Sequence, residues 1–341
     1  MYNVRLTPYR QKLGTIFDRQ TRSHSLTSLD GRYRFWLEDE EDMPDPDFWV
    51  VQGKGVRQGE TCRVAPQNTI LLTTEPRSVL RYPKSYIKQF GLVCTCQEQT
   101  HHPNVHFGPA ILPWFIGYSE DKEGNITSCN LDYDKLKAMP TPPKKKLLSV
   151  ITSNKAFTQG HIDRIHFVEK LKAHYGDNID VFGRGFRDFD DKWEVLAQYK
   201  YHIVIENSSQ RHYWTEKLSD CLLAETFPFY YGCTNLSDYI PTEAFEPIDI
   251  HRPNEAIAII DREIAAGRQE HSTDILAHAK TLMLDKYNMF EYIATLCDTL
   301  DASLPKQEVT IMPCKSSGNL FNLWQYSVGR KWYETKYRLL K

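Results

Sequence analysis

The chain of 341 residues is short of the features that define several broad classes of protein. Its formal net charge is only −2, which argues against a nucleic-acid-binding protein as a whole. No apolar run approaches the roughly 20 residues that a membrane-spanning helix needs, and the first residues, MYNVRLTPYRQK, hold no apolar core of a signal peptide. The eight cysteines form no CxxC pair and no Cys/His zinc spacing. Several sit in apolar contexts, so reduced, buried cysteines in a cytoplasmic protein are expected. A glycine-rich stretch, Gly53-Lys54-Gly55-Val56-Arg57-Gln58-Gly59, imitates a dinucleotide fingerprint but is followed by Glu60 to Pro66 rather than by a helix. Without that helix N-terminus there is nothing to receive a phosphate, and a turn is the better reading.

What is present is regular alternation. Phe48 to Val51, Thr69 to Thr73 and Leu92 to Cys96 read as strands, with a helix over Pro83 to Phe90. Met139 to Lys146, with its prolines and lysines, reads as a linker and a domain boundary. Beyond it come a strand at Lys146 to Thr152, a helix at Gly160 to Tyr175 and a strand at Ile179 to Phe182. A helix at Asp191 to Tyr199, a strand ending at Ile205 and a helix from Thr215 follow. Phe245 to Ile250 would be a last strand, and Asn254 to Ala266 and Ser272 to about Asp301 are expected helices. Such alternation predicts α/β architecture with doubly wound parallel sheets. The expected segments are 1–140, 141–310 and a tail of 311–341.

The stretch Tyr201 to Gly232 runs from strand through a polar loop, Asn207 to His212, into a helix and a further strand. In an open parallel sheet this puts Asn207, Tyr213, Glu216 and Lys217 at the carboxyl edge of the strands, where such folds bind ligands. Taken alone, Glu216 and Lys217 read equally well as a charged first helical turn.

The string ENSSQRHYWTEKL, followed by Pro228, Tyr231 and Gly232, resembles the donor-binding signature of glycosyltransferase family 10, the α-1,3/1,4-fucosyltransferases. The resemblance covers roughly residues 65 to 300 and sides with soluble bacterial members rather than anchored animal ones. It implies a GT-B-like pair of Rossmann-type domains facing across a cleft, and inverting, metal-independent transfer of L-fucose from GDP-fucose to a glycan hydroxyl. Alternatives are a related GDP-sugar such as D-arabinose, a catalytically silent glycan-binding relative, and a nicotinamide dehydrogenase, which the Gly53 to Gly59 turn disfavours.

By the same resemblance Asn207, Tyr213 and Glu216 contact the donor, while Lys217 and Arg164 counter its diphosphate. Arg164 follows Ser153-Asn154 in a segment similar to the family's Ser-Asn stretch; otherwise it would be an exposed charge on an amphipathic helix. Glu206 is expected as a buried carboxylate that orders the loop. The acceptor base is assigned to Glu75, whose TTEPRSVLRY context resembles the family's acceptor-side segment loosely; Glu98 and His101, His102 and His106 are its alternatives. Those histidines lie on an irregular loop without a ligand carboxylate at helical spacing, so no metal site is expected there. Asp45-Pro46-Asp47 and Asp188-Phe189-Asp190 have Asp-x-Asp spacing but read as loop carboxylates. No cofactor is required on this reading, although a divalent cation could stimulate. The expected partners are a GDP-sugar donor and an oligosaccharide or glycolipid acceptor. The stretch Leu320 to Lys341 interleaves aromatics with Arg and Lys and fits a packed terminal helix or, second, peripheral contact with an anionic inner membrane face.

Overall fold

A computed structural model of the chain describes residues 1–9, 16–37, 40, 42–121, 123–154 and 159–315. In chain order the elements are β1 (Tyr2–Thr7), β2 (Tyr33–Leu37), β3 (Phe48–Gln52), β4 (Glu60–Val64), β5 (Thr69–Leu72), α1 (Lys84–Ile87), β6 (Leu92–Thr95), β7 (Val105–Phe107), β8 (Tyr118–Glu120), β9 (Ile126–Cys129) and α2 (Tyr133–Ala138). There follow β10 (Lys146–Ile151), α3 (Gln159–Tyr175), β11 (Ile179–Phe182), β12 (Tyr199–Gln210), α4 (Glu216–Leu223), β13 (Phe227–Cys233), β14 (Glu246–Pro247), α5 (Pro253–Ala265), α6 (Arg268–His271), α7 (Thr273–Asp285), α8 (Met289–Cys297) and β15 (Gln307–Ile311).

The chain divides into two compact units, each with its own parallel sheet. The first sheet runs in the order β2-β1-β3-β5-β6-β7 and the second in the order β11-β10-β12-β13-β14. Each begins one strand in from an edge: the chain moves one way from its first strand, then returns to build the other side. That reversal opens a crevice at the carboxyl ends of the first strand and its later neighbour, β1 with β3 and β10 with β12. This is the α/β class that the alternation implies.

The units are not contiguous segments. Among the described residues, the first takes 1–113, 132–135 and 284–315, and the second takes 114–131 and 136–283. The reason is packing: Ile311 and Cys314 share a core with Trp49, Val51, Tyr86 and Val93, Phe290 meets Phe35 at 4.9 Å between ring centroids, and β15 pairs antiparallel with β4. The division therefore differs from segments at 1–140 and 141–310. The tail at 320–341 lies outside the described residues.

In the second unit Leu148, Val150, Ile203 and Phe229 of the sheet are buried with Ile162, Ile165, Val168 and Leu171 of α3 and Leu218, Cys221 and Leu222 of α4. Burying each such leucine or isoleucine contributes about 1.5–3 kcal/mol, which fixes the helices that carry polar groups at their exposed ends.

Several expectations need correction. The polar segment Asn207 to His212 is strand as far as Gln210, because Gln210 pairs with Cys233 after a register shift beyond Ile205. In place of the helix expected over Asp191 to Tyr199, residues 192–198 form a series of turns and Tyr199 opens β12. Asp191 Oδ1 accepts from the Trp193 amide at 2.8 Å, and the next amides bond three residues back, Val195 to Lys192 and Leu196 to Trp193. The helix from Ser272 to Asp301 breaks between α7 and α8, where the Asn288 side chain accepts from the Phe290 amide and starts a new helix. Pro83 to Phe90 keeps only the short α1, and the expected last strand shrinks to β14.

Candidate functional site

Glu206 is the anchor of the second unit's carboxyl edge. Its side chain, 1% exposed, lies near the end of the regular pairing of β12. Glu206 Oε1 accepts from the Thr215 amide at 2.8 Å, and Oε2 accepts from Lys217 Nζ at 3.0 Å. The Thr215 hydroxyl lies 2.9 Å from both carboxylate oxygens. Thr215 is the N-cap of α4, as its sequence position implies, and its Oγ1 accepts from the Lys217 amide. The carboxylate thus ties the last turn of the strand to the first turn of the helix.

Space for this arrangement comes from Gly232, where a Cβ would stand 2.6 Å from Glu206 Cγ and 2.4 Å from the Tyr230 hydroxyl. The Tyr-Gly pair of the signature is therefore explained by packing against Glu206.

Lys217 keeps 28% of its side chain exposed. Burial alone would lower its pKa; the charge of Glu206, and then that of Glu216, outweighs burial and raises it. Glu216, 3.9 Å from Lys217, is held below the usual carboxylate range because Lys217 and then Lys192 overcome its own burial. Lys192 itself pairs with buried Asp220 at 2.6 Å. The two residues lie 28 apart in the chain, so no local spacing signals their pairing.

Arg164 is placed differently. It is 5% exposed on α3; Nη1 donates to Asn207 Oδ1 at 3.1 Å, and Nη2 faces the Ser153 carbonyl at 3.4 Å and hydroxyl at 3.3 Å. Its Nε is buried without a partner. Burial pushes the guanidinium down to about 10, with Glu206 and Tyr213 opposing the fall. A guanidinium does not lose its proton under ordinary conditions, so a depressed value marks a cation held without a matching anion. No acidic side chain of the described residues forms an ion pair with it. The helix comes this close because Gly160 has no side chain: a Cβ there would sit 2.6 Å from the Asn207 carbonyl oxygen.

The structure brings Ser153, Asn207 and Arg164 into one bonded group at the crevice between β10 and β12, and Glu206, Glu216 and Lys217 into a second. Asn154 is at the same edge, where its amide donates to the Arg184 carbonyl at 3.0 Å. A Cβ on Gly185 would meet the Asn154 side chain at 2.6 Å, so the Gly183-Arg184-Gly185 turn packs on this segment. Tyr213 is not brought to open surface: it is 1% exposed, with the Tyr230 hydroxyl donating to its carbonyl at 3.4 Å. Its side chain is buried at this edge of the sheet.

A recess of 790 Å³ opens beyond β13 and β14, lined among others by Ser209, Tyr231, Gly232, Thr242, Glu246 and His251. Its size suits a nucleotide-scale ligand. Tyr231 and His251 are joined at 2.9 Å on its wall, with Asp163 3.8 Å from the other ring nitrogen. Beyond Tyr231 and Gly232 the sequence holds no signal for it, because its walls come from separate turns.

In the first unit Glu75 stands after β5 at the carboxyl edge, half-buried. Glu98 is exposed. His106 belongs to β7 and meets the Tyr292 hydroxyl at 3.0 Å, while His102 lies between the Asn104 and Phe90 carbonyls. Among the described residues no three His, Cys, Asp or Glu groups gather as a metal site. Asp47 is occupied by Lys306 at 2.7 Å and Asp45 lies 3.8 Å from Arg63. Asp188 and Asp190 are exposed. No helix of the described residues is long and apolar enough to cross a membrane.

The parallel sheet that reverses at its first strand thus carries a buried guanidinium, bonded to uncharged oxygens, at the edge where open α/β sheets bind ligands. Residues 141–265 match the family model described as glycosyltransferase family 10 (fucosyltransferase) C-term. The match covers this region alone and shows what the second unit is similar to. Alpha-(1,3)-fucosyltransferase 7 of Homo sapiens is 28% identical over 159 residues, 45% of this chain and 45% of that protein. The 3-galactosyl-N-acetylglucosaminide 4-alpha-L-fucosyltransferase FUT3 of Pongo pygmaeus is 32% identical over 91 residues, 25% of this chain and 24% of that one. The match thus spans less than half the length of these curated relatives. A solved alpha1,3-fucosyltransferase aligns with TM-score 0.47 and 17% identity over 89% of this chain and 91% of its own.

Proposed function

We propose that the protein is an inverting glycosyltransferase that moves L-fucose from GDP-fucose to a glycan hydroxyl, without a required metal. The observation that carries this reading is Arg164, a buried guanidinium without an acidic partner at the switch-point crevice of a unit similar to the family-10 domain. Departure of a diphosphate concentrates negative charge on its oxygens, and a preorganised cation stabilises that charge most where water is excluded. Lys217 adds a second positive group beside the N-terminus of α4, held in place by Glu206.

In the proposed reaction the acceptor hydroxyl gives its proton to the Glu75 carboxylate as its oxygen bonds to the anomeric carbon. The bond from that carbon to the β-phosphate oxygen breaks, and GDP leaves with the electron pair. Attack opposite the leaving group inverts the anomeric centre. Asn207 orients Arg164, Ser153 supports it from behind, and Glu216 is assigned to sugar or ribose hydroxyls. Relatives named as galactosyl-N-acetylglucosaminide fucosyltransferases suggest that disaccharide as the acceptor to try first.

The experiment is GDP release from GDP-fucose with and without galactosyl-N-acetylglucosamine, repeated with GDP-D-arabinose and in the presence of EDTA. Acceptor-dependent release that survives EDTA is the expected result. Tight GDP binding with no release from either donor would instead mean a silent binding protein, and loss of activity restored by manganese would mean that an Asp-x-Asp segment holds a metal.

A further inference from the structure

Gln97 is a buried amide immediately beyond β6, 4% exposed. Its Nε2 has two hydrogens, and both are committed to one loop: one bond goes to the Glu75 carbonyl at 2.9 Å and the other to the Leu80 carbonyl at 2.9 Å. The loop between them is already closed on itself, since the amides of Val79 and Leu80 both reach the Pro76 carbonyl at 2.9 Å. One side chain therefore fastens both ends of the turn that begins with Glu75.

The amide is itself fixed from behind. The Gln97 backbone N–H donates to Thr95 Oγ1 at 3.0 Å, and the Thr73 hydroxyl donates to the same oxygen at 2.8 Å. Thr73 stands two residues before Glu75, and its own amide bonds the Cys94 carbonyl at 3.0 Å. The bonds form a closed circuit: strand end, Thr95, Gln97, Glu75, and back through Thr74 to the strand. Tyr82 completes it by accepting from the Thr74 amide at 3.2 Å.

A turn that only had to connect β5 to α1 would gain little from so many buried bonds. A turn that has to hold a carboxylate to a fraction of an ångström would gain much, because a misplacement of about 1 Å can cost about a hundredfold in rate. We propose that Gln97 is a positioning residue for Glu75, holding its main chain so that the carboxylate meets the acceptor hydroxyl in register. The inference rests on the reading of Glu75 as the base.

The test is a cycle of Gln97→Met, which keeps the length and removes both donors, Glu75→Gln and the double variant. It is read with GDP-fucose and galactosyl-N-acetylglucosamine. Gln97→Met should lower kcat by about tenfold to a hundredfold while the KM for GDP-fucose stays within about twofold. Since Gln97 acts only through Glu75, the double variant should be no slower than Glu75→Gln alone, whereas independent losses would multiply. Gln97→Glu, of the same shape but with charge against two carbonyls, should be at least as slow. Normal turnover in folded Gln97→Met, or multiplied losses in the double variant, overturns the positioning role while leaving the base in place. Normal turnover in Glu75→Gln overturns the base and this inference together.

Discussion

Arg164 Nη1 donates to Asn207 Oδ1 at 3.1 Å, and this uncharged oxygen stands where a buried guanidinium would ordinarily meet a carboxylate. Lys217, by contrast, already faces Glu206 at 3.0 Å. The two cations are thus unequal: most of the uncompensated positive charge rests on Arg164. Arg164→Ala should lower turnover by about a hundredfold or more, the usual loss when one preorganised group is removed from a developing charge. Arg164→Lys should recover little of it, since an ammonium cannot reach Asn207 and Ser153 together with fixed geometry. Steady-state kinetics with GDP-fucose check both, and near-normal turnover in Arg164→Ala would remove this cation from the reaction.

Lys217 has a second consequence, for stability. Removing it strands the Glu206 carboxylate, whose side chain is fully buried. Breaking a buried pair costs about 3–5 kcal/mol, and the part of Lys217 that remains in water reduces this toward about 2–3 kcal/mol. Lys217→Ala should therefore lose both turnover and urea resistance, while Lys217→Ala/Glu206→Gln should regain part of the stability without the activity. Equal denaturation midpoints for wild type and Lys217→Ala would show that the pair contributes nothing.

The contrast between these residues explains what could be read from the chain. The Thr215 cap and the buried face of α3 depend on neighbours within a few residues, so spacing alone reveals them. The extension of β12 to Gln210 depends on Cys233, and the Lys192–Asp220 pair joins residues 28 apart. Asp191 caps the Trp193 amide, but the turns that follow are cut short where Tyr199 enters β12, a limit set by the sheet and not by apolar periodicity. Gln97 had no signal at all, because an amide announces itself only through the carbonyls it reaches.

His202 offers a pH test of the sheet itself. It is buried on β12, 2.7 Å from the Ser149 hydroxyl, and burial pushes it down to about 3 from 6.5. The folded protein keeps the ring neutral while the unfolded chain protonates it below about pH 6.5. Its contribution is therefore complete above that pH and declines as pH falls toward 3, by up to about 1.4 kcal/mol per unit. His202→Gln should be less stable at neutral pH yet show a shallower fall in Tm between pH 6.5 and 3.5. Parallel Tm profiles for the two proteins would mean that other groups supply the acid sensitivity.

Glu75 carries the most consequential assignment. An acceptor alcohol has a pKa far above 7, so its oxygen cannot bond to the anomeric carbon without giving up its proton as the bond forms. A glutamine at position 75 keeps the shape and hydrogen-bonding length of the side chain but cannot receive that proton. Glu75→Gln should lose about a hundredfold to ten-thousandfold in kcat, the range associated with a general base. Its affinity for GDP-fucose should stay close to normal, because Arg164, Lys217 and Asn207, the groups assigned to the donor, belong to the other unit. Glu98→Gln is the control: that carboxylate is exposed, and its amide should leave kcat within about twofold. A Glu75→Gln enzyme that turns over normally while Glu98→Gln fails would move the base to Glu98. Collapse of GDP-fucose binding in Glu75→Gln would make Glu75 a structural or donor-side carboxylate instead. Titration calorimetry with GDP-fucose, run beside the rate measurements on both variants, separates these outcomes.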